Sequence, residues 1–152
     1  VNPLNLCHHC SIQEKLELKS IMIKKYFLAW FPMVFIAIIN GAMREGAYKT
    51  LLGDLVAHQV STLTGIIFIG IYIWLITRQW PLTSSSQAIK VGLMWLGMSM
   101  LFEFGFGHYV MKDPWSKLLA DYNIFSGRVW SIFLLWITAA PYIFYRLGRK
   151  KR

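Results

Sequence analysis

Leu101–Trp130 reads LFEFGFGHYVMKDPWSKLLADYNIFSGRVW, and its two edges decide the fold. Glu103 stands before one apolar run has ended, and Arg128 stands where the next begins. Both runs have the length and composition of membrane helices. An ionisable residue at membrane depth is costly and faces the bundle interior and a partner. Glu103 and Arg128 are therefore the first candidate pair.

The rest of the chain repeats the pattern. Its 152 residues make one domain. They are 56% apolar and only 15% charged, against about 25% in soluble domains. The charges are missing from long blocks. Four spans follow, at about 26–43, 60–77, 88–107 and 129–145, each near the ~18–20 residues that cross a ~30 Å hydrocarbon core. The fold class is all-α, a polytopic membrane protein built as an antiparallel bundle of four transmembrane helices. Residues 1–25 form a polar N-terminal tail, 26–147 the transmembrane domain and 148–152 a basic tail.

A net charge of +9 raises nucleic acid as a partner, but the basic residues flank apolar blocks and form no basic helix face. They follow the positive-inside pattern instead. Eleven lysines and arginines fall in the two tails and the turn around Pro81–Gln87, and five fall on the other side. Both termini are accordingly expected in the cytoplasm of a bacterial inner membrane. The partners are the bilayer and other membrane proteins, with no nucleic acid and no particular oligomeric state.

The first 21 residues read as an over-extended start or a poorly ordered tail, because Met22-Ile-Lys-Lys resembles a natural beginning. Cys7 and Cys10 have zinc half-site spacing, but His8 and His9 are too adjacent to complete four ligands. They are weak metal candidates. A retained first helix is expected rather than a signal peptide, since Asn40-Gly-Ala-Met43 is a poor cleavage site. Arg44–Gln59 reads as a polar loop. Asp113-Pro-Trp115 opens a short helix through Leu119, with Trp115, Leu118 and Leu119 turned to lipid.

At helical spacing each span carries a polar or small seam. These are Met33/Ala37/Asn40/Arg44, His58/Thr62/Gly65/Tyr72, Gly92/Leu96/Ser99/Glu103/Gly107 and Arg128/Ser131/Leu135/Thr138/Tyr142. Ala37/Gly41, Ser61/Gly65 and Ala88/Gly92 are pairs that permit close helix approach. Asn40, Arg44, His58, Glu103, His108 and Arg128 all fall at the outer third or outer mouth, so the polar cluster is one-sided. A channel needs polar groups through the full thickness. No repeat marks an inverted-repeat transporter.

Three uses of the cluster are open. In the first, Glu103 bridges Arg44 and Arg128 and locks three helices, a structural or accessory role. In the second, an enzyme or binder of anions or lipid headgroups uses Arg44, Glu103 and Arg128 from the periplasmic side. In the third, His58 and His108 ligate a haem between helices. The first is favoured, and no catalytic residue is assigned.

The strings Ile39–Gly46 (INGAMREG), Ala57–Gly65 (AHQVSTLTG), Phe102–Tyr109 (FEFGFGHY) and Leu119–Trp130 (LADYNIFSGRVW) resemble a family of small bacterial four-helix integral membrane proteins. The likeness covers about Met22–Leu147. It implies the topology and no chemistry, because no activity is attached to that family. The chain does not resemble the small multidrug-resistance transporters, whose first helix carries a mid-membrane glutamate that this span lacks.

Overall fold

The computed structural model describes residues 3–149, apart from the side chains of residues 3–12, 15, 16 and 126. Among the described residues it is all-helical, with no strand. The helices are α1 (Pro3–Met43), α2 (Lys49–Leu52), α3 (Asp54–Gln79), α4 (Ser85–Gly105), α5 (Trp115–Ala120) and α6 (Trp130–Arg149). A π-helical turn follows α1 at Arg44–Tyr48, and another follows α4 at Phe106–Val110. Four stretches are long and apolar enough to cross a membrane: Glu17–Leu52, Asp54–Gln79, Ser85–Val110 and Trp130–Arg149.

Two boundaries differ from those expected. α1 runs without a break across the tail boundary at residue 25, and at ~1.5 Å per residue it is about 60 Å long. Arg44–Gln59 is helical rather than a loop. The Glu45–Lys49 pair, 3.0 Å apart at helical spacing, supports that segment. Its one interruption is Gly53, whose φ of 78° breaks the helix between α2 and α3. At the start of α4, Ser84 Oγ accepts from the Gln87 backbone N–H, so Ser-x-x-Gln caps the helix.

One end of the bundle is closed by aromatic packing. α1 contributes Tyr26, Ala29, Trp30 and Met33, a stripe at helical spacing. Tyr26 donates its hydroxyl to the Trp80 carbonyl at 2.7 Å, and the buried Trp95 indole N–H donates to the Tyr26 carbonyl at 2.8 Å. Tyr72 reaches the Ala29 carbonyl at 2.9 Å. These aromatic side chains thus bury their rings and still satisfy their polar tips. Ile69 and Ile73 of α3, Ala88 and Val91 of α4, and Phe133, Ile137 and Ala140 of α6 fill the middle.

α4 and α6 make the closest approach, at Gly92, where a Cβ would overlap the Thr138 carbonyl oxygen. Gly65 takes a comparable but looser place against Asn40 and Phe133, while Gly41 has open space beside it. The fourth seam is turned from its expected face. Leu135 is two-thirds exposed, and Phe133, Leu134, Ile137, Ala140 and Pro141 point inward. Thr138 needs no polar seam, because its hydroxyl donates to the Leu134 carbonyl of its own helix at 2.7 Å.

Candidate functional site

The other end of the bundle is not filled. A cavity of about 280 Å³ lies between α1 and α4, with α6 and α3 behind it. Trp30, Met33, Val34, Ala37 and Ile38 of α1 face Ser99, Phe102 and Phe106 across it. Phe133 and Ile137 form its back, and Leu118 covers one side. Leu118 is buried against Gly107, which corrects its expected lipid-facing position, whereas Trp115 and Leu119 are exposed. Polar residues gather at the Arg44 end: Arg44, His58, Glu103 and Asp121 all line the space. A smaller space of about 170 Å³, lined by Asn40, Ser61, Thr62 and Trp130, adjoins it.

The expected Glu103 clasp is not made. Among the described residues Glu103 has no cationic partner. Its Oε2 accepts from the Tyr122 hydroxyl at 2.6 Å and from the Trp130 indole N–H at 2.8 Å. Burial, and after it the bond to Glu103, pushes the Tyr122 phenol above its ordinary range, so Tyr122 remains a donor at neutral pH.

The arginines have nearer carboxylates. Arg44 pairs with Glu45 at 3.0 Å. Arg128 pairs with Asp121 at 2.5 Å and with Asp54 at 3.4 Å. Lys49 links Glu45 to Asp54, at 3.0 and 3.3 Å. A single chain of alternating sign results: Arg44, Glu45, Lys49, Asp54, Arg128, Asp121. Several of these pairs are largely exposed, so water and salt screen them and they add little to stability. Their consequence is local neutrality: both arginines of the cluster already face carboxylates.

His58 is buried, and its Nδ1 sits 3.3 Å from Arg44 Nη1. A guanidinium only donates, so Nδ1 is the lone-pair nitrogen and Nε2 carries the proton. That Nε2 is buried without a hydrogen-bond partner. Asn40 is satisfied on both sides, donating to the Ser61 carbonyl at 2.6 Å and accepting from the Thr64 hydroxyl at 2.8 Å. It ties α1 to α3.

His108 does not line the cavity. Its ring stacks on Trp115 with centroids 4.2 Å apart, and Nδ1 contacts the Asp113 carbonyl at 3.0 Å. A bis-histidine haem needs both imidazoles on one shared space, so His58 and His108 do not fit that ligand set. The side chains of Cys7 and Cys10 lie outside the described residues.

Comparison with protein-family models, curated proteins and solved structures gave no match. The likeness to small bacterial four-helix membrane proteins rests on the quoted strings alone.

Sequence reasoning singled out Arg44, His58 and Glu103 but missed Tyr122, Trp130, Asp121 and the aromatic wall of Trp30 and Phe102. Tyr122 and Trp130 lay inside the LADYNIFSGRVW string as the hydrogen-bonding aromatics nearest Arg128. Their donor groups were the available signal.

Proposed function

We propose that this chain is a multi-pass inner-membrane protein whose cavity binds a small amphipathic molecule entering from the bilayer. The four helices run antiparallel in this reading, with both termini cytoplasmic and the Arg44 end on the periplasmic side. The outward faces support membrane insertion. Leu28, Phe35, Ile39, Leu63, Phe68, Leu93, Leu101 and Leu135 are exposed on long helices, and a water-soluble monomer rarely exposes apolar surface on that scale.

The observation that carries the binding role is the cavity's make-up. Its wall is apolar and aromatic, a few polar groups converge at one end, and its rim includes the exposed Ile38 and Phe106. A dry cavity of about 150 Å³ is enough to hold benzene, so one of about 280 Å³ takes a ring with a short tail. An accessory role through helix locking loses its main support, because Glu103 does not bridge the arginines. Anion binding at the cluster loses support for a different reason: Arg44 already pairs with Glu45, and Arg128 with Asp121 and Asp54.

Ala37 lines both cavities, so Ala37→Phe fills the space without removing a hydrogen bond. Thermal unfolding of detergent-purified protein is expected to show phenylbutanol raising the wild-type Tm by several degrees. At a hundred times Kd, linkage supplies about 2.7 kcal/mol. The Ala37→Phe protein should unfold at a similar or higher temperature and not respond. An equal response of the two proteins would rule the cavity out as the binding site.

The orientation has its own test. In a chain with Cys7 and Cys10 replaced by serine, a membrane-impermeant maleimide should label Phe125→Cys on intact cells. It should label Ser86→Cys only after permeabilisation. The opposite pattern would invert the topology.

A further inference from the structure

The charge at the cavity also constrains what the ligand's head can be, an inference that rests on the binding reading above. Arg44, Glu103 and Asp121 are the charged residues that border the space. Arg44 is matched by Glu45, and Asp121 by Arg128. Glu103 has no cationic partner among the described residues, so its carboxylate is the uncompensated charge of the cavity. The Tyr122 hydroxyl and the Trp130 indole N–H both donate to its Oε2. Its Oε1 takes no hydrogen bond from the described residues. Nor is Oε1 sealed in the packing: among those residues, the buried side-chain polar atoms without a partner belong to His58, Gln87 and Trp136. Oε1 is thus an accessible acceptor, on a residue that borders a largely apolar space.

We infer that the site selects an amphipathic organic ammonium, whose N–H donates to Glu103 Oε1 while its apolar body lies among Trp30, Phe102 and Phe133. Folding has already taken Glu103 partly out of water, so the ion pair adds mainly the desolvation of the ligand's own head. The bond formed is charge-assisted, and such bonds are roughly twice as strong as neutral ones. A hydroxyl or amide head donates to the same oxygen without that charge. A carboxylate or phosphate head meets Glu103 with like charge and finds both arginines occupied. A phosphoethanolamine lipid carries the ammonium but brings a phosphate with it, so the occupant is a free amine rather than a lipid headgroup.

The test is a matched series on one apolar body: phenylbutylamine, its neutral N-acetyl derivative, phenylbutanol and phenylbutyrate. Binding is measured by titration calorimetry to the whole chain in phosphatidylcholine nanodiscs, with empty nanodiscs subtracted. At neutral pH the amine is protonated, as a lysine is. It is expected to bind at least tenfold more tightly than the alcohol or the amide, with the carboxylate weakest. Glu103→Gln keeps an oxygen for Tyr122 and Trp130 but drops the charge, and should remove most of the amine's advantage while sparing the alcohol's affinity. An amine advantage that survives in Glu103→Gln would overturn the assignment. So would a wild-type protein that binds the alcohol, the amide or the carboxylate as tightly as the amine, a ranking that needs no variant to fold. Adding phosphatidylethanolamine to the nanodisc should leave the amine's Kd unchanged. A tenfold loss there would overturn the free amine and assign the Glu103 contact to the lipid's ammonium. Equal binding of all four, abolished by Ala37→Phe, would keep the cavity as a binding site and overturn only the head selectivity. No binding by any of them would overturn both.

Discussion

Gly92→Ala is expected to destabilise the protein by about 3 kcal/mol or more, at or above the upper end for over-packing a close contact. The added methyl would overlap the Thr138 carbonyl oxygen, and that atom belongs to the α6 backbone. No rotamer change relieves such an overlap, so α4 and α6 must separate along their length. Trp95, Val91 and Ile137, all fully buried around this crossing, would lose contact together. For a chain of this length each kcal/mol shifts Tm by roughly 2–4 °C, so a fall of about 10 °C follows. Gly97→Ala is the control. It lies on the same helix with open space at its Cβ position, and alanine is the better helix former. Its Tm should be unchanged or slightly raised. Equal losses in the two variants would assign the effect to α4 itself rather than to the crossing.

Glu103→Leu carries the second large effect. It strips the acceptor from the Tyr122 hydroxyl and from the Trp130 indole N–H, both half-buried. Leaving a buried donor unsatisfied costs about 1–3 kcal/mol, so a loss of about 2–4 kcal/mol is expected for the two. Glu103→Gln retains an oxygen at the same reach and should lose only about 1 kcal/mol, the difference between charge-assisted and neutral hydrogen bonds. Because the three groups act as one unit, Tyr122→Phe should cost little more in the Glu103→Leu background than Glu103→Leu alone. Thermal or denaturant unfolding in detergent reads all of these. A Glu103→Gln protein as unstable as Glu103→Leu would mean that the charge, and not the acceptor geometry, holds this corner.

The two variants bear on how far the sequence could be read. Periodicity was sufficient where burial and hydrogen bonding agree. Met33 and Asn40 on α1 and His58, Thr62 and Gly65 on α3 face inward on the seams that their spacing predicts. Of the Ala88/Gly92 pair, Gly92 lies at the close approach of α4 to α6, and Ala88 is fully buried. The same logic misplaced α6, because it took Thr138 as a seam marker. A threonine hydroxyl can satisfy itself on its own helix, and this one does. In a helix whose neighbours are all apolar, the inward face is then set by shape, through Phe133 and Ile137.

The pairing of charges was misread for a related reason. Depth alone matches Glu103 to arginines on other helices. Arg44, however, has Glu45 beside it, and Arg128 has Asp121 seven residues earlier. Nearby partners are easier to bring together, since little chain must be ordered to join them. Arg44–Gln59 looked like a loop because it is polar, yet its charges stand at the spacing of a helix. The cavity could not be read at all. It depends on how far α1 and α4 stand apart, which no single helix encodes.

In the proposed reading the cavity between α1 and α4 opens to the bilayer. Photolabelling the protein in lipid vesicles with a phenylbutanol-derived alkyl diazirine tests it most directly, with labelled positions located by peptide mass spectrometry. The label is expected on Ala37 and Ser99, inside the cavity, in addition to lipid-facing positions such as Phe35 and Leu93. Excess phenylbutanol should remove the inner labels and spare the outer ones. Labelling confined to Phe35, Leu93 and their like, or inner labels that phenylbutanol does not displace, would contradict the account.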